Sequence, residues 1–187
     1  MKETPEPERA AFEAIYTEHY WALLRFAARR LSDAESARDL VSDTFAVAWQ
    51  RRSRIPAERP LPWLYRTAGN LLANQRRRGT RATEAARRLT SYAVRDHAVG
   101  ADEQAEWSDA LASVMSTLQT LDHRDREVLL LHAWEGLQGE DLAAALGCSA
   151  GAAAVRLHRA RHRLRSARAS REVPGIISPT EQTGVNP

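Results

Sequence analysis

The segment that most constrains the fold runs Gly139-Glu-Asp-Leu-Ala-Ala-Ala-Leu-Gly-Cys-Ser-Ala-Gly-Ala-Ala-Ala-Val-Arg-Leu-His-Arg-Ala-Arg-His-Arg-Leu-Arg165. It reads as two short helices joined by a tight turn, the second growing densely cationic along its length. Ala143 and Gly147 stand one helical turn apart. The small alanine lets the helices approach, and Gly147 supplies the left-handed backbone that ends the first. Ser149 is placed to cap the second, because its hydroxyl accepts a hydrogen bond from an unpaired amide of the first turn. A helix presented this way fits the major groove of duplex DNA. The plainer reading of the same residues is a helical hairpin with an arginine-rich exposed face.

The rest of the chain sets bounds on what surrounds this unit. With 187 residues, 43% of them hydrophobic, there is room for one domain or two small ones with a buried core. Only nine glycines and eight prolines occur, most prolines lying near the ends or in one short loop. Alanine and leucine dominate between them, so the fold class expected is all-α. The single cysteine excludes an internal disulfide framework. No apolar run approaches membrane-spanning length, and the acidic first residues lack a secretory leader's pattern. The expectation is a cytoplasmic protein with no membrane insertion.

Charge is segregated along the chain. Residues 1–50 carry six basic and nine acidic side chains, residues 51–95 twelve and two. Residues 96–155 carry two and eleven, and residues 156–187 seven and two. Basic blocks attract phosphate and release counterions, while acidic blocks are repelled by DNA. The alternation suits a protein that touches nucleic acid at two places and a basic protein surface elsewhere. The other reading is that the blocks neutralise each other within the fold.

Residues 8–31 show a first helical pattern, with Phe12, Ile15, Tyr16, His19, Leu23, Phe26, Ala27 and Arg30 at three- and four-residue steps. A second helix follows Asp33 and aligns Ala37, Leu40, Val41, Thr44, Phe45, Ala48 and Trp49. The prolines of Ile55–Pro62 make a loop, and Pro62 suits the first turn of a third helix carrying Trp63, Leu64, Ala68, Leu71 and Leu72. That helix is expected to stop near Gly79, closing a first domain over residues 8–80. Residues 81–101 read as a flexible linker, and residues 102–171 as a second domain whose helices carry Trp107 to Leu118 and, capped by Asp122, Val128 to Trp134. Gly136 ends the latter, and the helix-turn-helix follows. Residues 172–187, with their prolines and glycines, read as a disordered tail.

The order of these parts carries a resemblance. Asp39-Leu-Val-Ser-Asp-Thr-Phe45, then Trp49, then Pro62-Trp-Leu-Tyr-Arg-Thr-Ala-Gly-Asn70, resembles domain 2 of bacterial RNA polymerase sigma factors. Leu121-Asp-His-Arg-Asp-Arg-Glu-Val-Leu129 with the helix-turn-helix resembles their domain 4. With nothing else between, the chain is similar to the small extracytoplasmic-function (ECF) class of the sigma-70 family over about residues 8–168. The resemblance implies two small helical domains on a flexible linker. It implies a factor that binds core RNA polymerase, reads the −10 and −35 promoter elements and assists duplex opening, without being an enzyme. The implied partners are promoter DNA, the polymerase (the coiled coil of its largest subunit, and the flap) and, as a class expectation, an anti-sigma factor.

Site residues follow from both lines of reasoning. Glu35, Asp39 and Asp43 are four apart and stack on one exposed helix face, where like charges call for a basic partner. In the family this face docks on the polymerase coiled coil, which assigns Glu35, Asp39, Leu40, Ser42 and Asp43 to core binding. Relatives usually carry Gln and Glu where this chain has the shorter Ser42 and Asp43. Holding an unstacked base and its phosphates needs polar and cationic groups beside apolar walls. Arg52, Arg54, Arg59, Arg66, Asn70, Asn74, Arg76, Arg77 and Arg78 offer these, and the family reads the −10 element there. The family's Ala-Arg-Asn triplet reads Ala68-Gly69-Asn70 here, so the arginine is missing. Trp49 and Trp63 could stack on bases, but their helical register favours the core. The −35 readers carried over are His132, Ser149, Gly151, Ala154, Val155, Arg156, His158 and Arg159. Ala154 and Val155 cannot donate hydrogen bonds, so methyl contacts and shape would weigh more than usual.

Other chemistries find little support. His158 and His162 share helical spacing, but the arginines among them oppose a cation and no third ligand is near, so neither a metal nor another cofactor is expected. Cys148 has no resolving partner and reads as a small buried hydrophobe. No carboxylate cluster suggests catalysis. The main rival is a stand-alone helix-turn-helix transcription regulator whose first 80 residues serve dimerisation or sensing. It explains the C-terminal half equally well, but neither the basic block after Pro62 nor the acidic stripe.

Overall fold

The computed structural model describes residues 6–31, 33–87 and 109–172. Among them it forms seven α-helices: α1 (Glu6–Ala28), α2 (Ala34–Gln50), α3 (Pro60–Arg87), α4 (Asp109–Thr120), α5 (His123–Ala133), α6 (Gly139–Leu146) and α7 (Ala150–Glu172). A short 3-10 turn over Arg52–Arg54 links α2 to the loop before α3. The expected tail after 172 and most of the expected linker and Trp107 lie outside the described residues.

The first three helices pack around Leu23, Phe26 and Ala27 of α1, Ala37, Leu40, Val41, Phe45 and Ala48 of α2, and Leu64, Tyr65, Ala68 and Leu72 of α3. Phe26 stacks on Tyr65 with ring centroids 5.0 Å apart, tying α1 to α3. Phe12 meets the edge of Trp49 at 5.0 Å, so this tryptophan is held by packing. Asp33 starts α2 as expected, its carboxylate accepting from the Ser36 amide at 2.7 Å. Pro60 and Pro62 both occupy the first turn of α3, where a missing amide costs nothing.

One boundary differs from expectation. α3 does not stop near Gly79 but continues through it to Arg87. A single glycine costs a helix only about 1 kcal/mol relative to alanine, and the alanine, glutamate and arginines beyond it favour helix.

In the C-terminal half, α5 buries four consecutive residues, Val128 to Leu131. Four in a row cover every side of a helix, so α5 must be enclosed by neighbours all round. α6 and α7 cover part of it, α4 packs on α7, and Leu118, Leu142, Ala143, Ala145, Ala153 and Ala160 complete this core. Asp122 caps α5, accepting from the amides of Arg124 at 2.6 Å and Asp125 at 3.1 Å. Arg126 secures the preceding helix by donating to the carbonyls of Leu118, Gln119 and Leu121 near its end.

The two halves also pack on each other, α6 lying against α3. The acidic block therefore does in part neutralise the basic residues of the first domain. Arg29 and Arg30 pair with Glu127 and Glu135, and Arg59 pairs with Glu140 at 2.6 Å.

Candidate nucleic-acid and polymerase surfaces

The helix-turn-helix is built as its sequence requires. Gly147 takes φ 66° and ψ 40°, and the amides of Gly147 and Cys148 donate to the carbonyls of Ala144 and Ala143 at 3.2 and 3.0 Å. This pairing closes the end of α6 and satisfies its last carbonyls. The Ser149 hydroxyl accepts from the Ala152 amide at 3.3 Å and opens α7. Ala153, Leu157, Ala160 and Leu164 point inward at steps of three and four. Ala154, Val155, Arg156, His158 and Arg159 are thereby left exposed, as is Gly151, with Val155 an unusually open aliphatic side chain. An exposed valine beside arginines at a helix start can meet a thymine methyl group.

His132 is placed differently from a free DNA reader. Its Nδ1 lies 3.0 Å from the Leu137 carbonyl, so it donates there, and its Nε2 accepts from Arg161 at 2.6 Å. The ring therefore holds Arg161 rather than projecting outward. Arg163 donates to Asp125, whose carboxylate holds the Arg163 guanidinium above its ordinary value. That leaves Arg156 and Arg159 as the cations of the first turns.

On α3, Arg66, Asn70 and Asn74 share one exposed face, opposite Leu64, Ala68 and Leu72. A Cβ at Gly69 would meet nothing within 4 Å among the described residues, so none of these neighbours requires that glycine. Arg77 donates to Asn74, and Arg76 donates to Nδ1 of His123 at 2.8 Å. Burial and the adjacent Arg76 together hold the His123 imidazole below its usual value. Arg54 is exposed, while Arg52 lies over the Trp49 ring and donates to Glu8 at 2.8 Å. Trp63 is half-buried against the core. The side chain of Arg78 lies outside the described residues.

The acidic stripe is confirmed in register and corrected at one position. Glu35, Asp39, Ser42 and Asp43 are exposed on α2. Leu40 is not: it is fully buried in the three-helix core, so it cannot touch a partner and supports the stripe from beneath. A step of one residue turns a helix by about 100°, which carries the neighbour of an exposed Asp39 inward.

The reading faces of α3 and α7 open onto one cleft of about 790 Å³, lined by Arg66, Asn70, Arg156 and Arg159 among others. Tyr65 also lines it, and burial, with the nearby Glu135 charge, pushes its phenol up to about 12.

Comparison with known proteins decides the family. Residues 15–82 match the model of Sigma-70 region 2, and residues 111–164 that of Sigma-70, region 4. The RNA polymerase sigma factor CarQ of Myxococcus xanthus is 32% identical over 159 residues, 83% of this chain and 87% of that protein. The chain belongs to the sigma-70 family of RNA polymerase sigma factors, in its extracytoplasmic-function class. The ECF RNA polymerase sigma factor SigL of Mycobacterium tuberculosis is 30% identical over 165 residues, 84% of this chain and 89% of that one. Among solved structures, the sigma factor RpoE in complex with the anti-sigma factor NepR from Bartonella quintana superposes with TM-score 0.63 at 28% identity. That match covers 83% of this chain and 95% of that one. CnrH in complex with the cytosolic domain of CnrY gives TM-score 0.57 at 29% identity, over 88% and 91% of the two chains. The function of this sigma factor is to bind core RNA polymerase and direct initiation at promoters. Among the described residues no helix is long and apolar enough to cross a membrane.

Proposed function

We propose a division of labour among three surfaces of this sigma factor. Glu35, Asp39, Ser42 and Asp43 dock on a basic face of the polymerase, the coiled coil of its largest subunit. Arg54, Arg66, Asn70 and Asn74, with Arg52, Arg59, Arg76, Arg77 and Arg78, form the −10 surface that receives the melted strand. Val155, Arg156, His158 and Arg159, beside Ser149, Gly151 and Ala154, enter the −35 major groove. His132 acts through Arg161, holding that guanidinium for a phosphate. The chain works in the cytoplasm and catalyses nothing itself. An anti-sigma factor, like the NepR bound to RpoE, is a partner of the same class.

One observation carries this reading. Two helices from two separately matched domains each turn an apolar face inward and leave arginine and asparagine outward, while a third surface is acidic and uncovered. Phosphate attracts the first two and repels the third. A stand-alone regulator has no use for that third surface. The test is transcription in vitro with purified core polymerase, mapping transcript 5′ ends with and without the chain. New start sites sharing upstream elements near −10 and −35 are expected. A start-site pattern unchanged by the chain would overturn the assignment.

A further inference from the structure

The cleft of about 790 Å³ is walled by α3, the start of α5, the end of α6 and the outer face of α7, and four guanidinium groups converge on it. Arg66 comes from α3, Arg124 from α5, and Arg156 and Arg159 from α7. All four side chains are exposed, and among the described residues none of their guanidinium groups has an ion pair or hydrogen bond. The three carboxylates of the lining are already engaged. Asp125 is bound by Arg163 and Glu127 by Arg30, while Asp122 caps α5. A Cβ built on Gly147 would sit 2.8 Å from the Arg66 guanidinium, so the bare turn before α7 is what lets Arg66 lie on the α7 side. Like charges gathered in one cleft repel one another and concentrate a field that draws an anion. Guanidinium forks match phosphate oxygens two at a time, so several together suit a run of phosphates.

The floor between these cations is flat and apolar. Arg66, Gly69, Asn70 and Ala73 fall at steps of three and four on α3 and share the face that lines the cleft. Gly69 and Ala73 put almost no side chain on it, and a Cβ on Gly69 would meet nothing within 4 Å among the described residues. A glycine in mid-helix costs about 1 kcal/mol relative to alanine. Here it leaves a patch of open backbone against which a planar ring can lie. Asn70, the next residue, carries an amide that can pair with the edge of such a ring, as asparagine does with adenine. The volume lies within the range of small-molecule sites, about 300–1,000 Å³.

We propose that this cleft binds a nucleoside polyphosphate, its phosphates held by Arg66, Arg124, Arg156 and Arg159 and its base laid on Gly69 beside Asn70. Ligand and promoter then exclude each other, because Arg66, Asn70, Arg156 and Arg159 also belong to the DNA surfaces proposed above. That consequence rests on those surface assignments. The binding itself does not, and its test needs neither DNA nor polymerase.

The experiment is calorimetric titration of the full chain, free in solution, with ATP, GTP and inorganic tripolyphosphate. A nucleotide should bind saturably at one per chain, at least tenfold more tightly than tripolyphosphate, which has the phosphates without the base. Gly69→Leu fills the floor without changing charge, and leucine favours helix over glycine. It should weaken the nucleotide about tenfold and leave tripolyphosphate unchanged. Arg156→Gln/Arg159→Gln should weaken both ligands tenfold or more. Arg165→Gln, which removes an exposed cation of α7 outside the cleft, should change neither. Helix content by circular dichroism checks each variant, and one that loses it is set aside for the other. No saturable binding of either nucleotide would overturn the site. So would a nucleotide bound no more tightly than tripolyphosphate, or an Arg165→Gln loss equal to that of the Arg156/Arg159 pair. Failure here leaves the sigma assignment standing, since transcription with core polymerase tests that separately.

Discussion

Arg159 stands exposed on the same helix face as Arg156 and Val155, two turns into α7, with no other part of the chain holding it by an ion pair among the described residues. A base-edge contact from such a side chain is worth about 1–3 kcal/mol. Arg159→Ala should therefore weaken promoter binding by the polymerase complex about tenfold or more, read by fluorescence anisotropy on the cognate duplex. Unchanged affinity would remove Arg159 from the site. At Gly147 the penalty is to folding. Its φ of 66° costs an alanine about 1–2 kcal/mol, and the added Cβ also displaces the Arg66 guanidinium. Gly147→Ala should lower the thermal midpoint in calorimetry, and a midpoint equal to wild type would contradict the left-handed turn. The caps at Asp33, Asp122 and Ser149 and this glycine were all legible in the sequence, because each is a local rule about one residue and its next turn. The burial of Leu40 was legible too, from the helical periodicity of α2; only the motif carried over as a block put it on the docking face, because a block ignores which of two adjacent residues the helix turns inward.

Among the elements, α2 gives the sharpest test. Three carboxylates at four-residue spacing face solvent over a core of Leu40, Val41 and Phe45, so they can be altered without touching packing. The triple change Glu35→Lys, Asp39→Lys, Asp43→Lys should leave helix content intact and abolish co-elution with core polymerase on gel filtration. Retained co-elution would move the docking surface elsewhere. α3 shows the limit of breaker rules: Gly79 marks a stop on paper, yet the helix-favouring residues after it outweigh one glycine and carry the helix to Arg87. α5 shows another limit. Its run Val128 to Leu131 has no amphipathic face to read, because neighbours cover it on every side.

For the whole molecule, the sequence announced two helical domains and alternating charge, but not that the acidic block of one domain would meet the arginines of the other. No local signal specifies Arg30 against Glu135, which are separated by 105 positions. One consequence is a dependence on acidity. His123 faces Arg76, Arg126 and Arg30, with Glu127 the opposing charge, and burial with Arg76 holds its imidazole below the ordinary 6.5. A histidine so lowered binds its proton better once the halves separate. Its contribution to the packing of the halves is therefore complete above about pH 6.5 and is lost as pH falls through the lower value of the packed form. Scattering between pH 7.5 and about pH 5 should report a growing radius of gyration, and His123→Gln should flatten that response. A response unchanged by the substitution would assign it to other groups.

The most direct measurement is footprinting of a mapped promoter by the chain alone, by core polymerase alone and by the two together. Protection near −35 and strand opening near −10 are expected only when both are present, with Arg159→Ala losing the upstream part. Equal protection by the chain without polymerase would contradict this dependence.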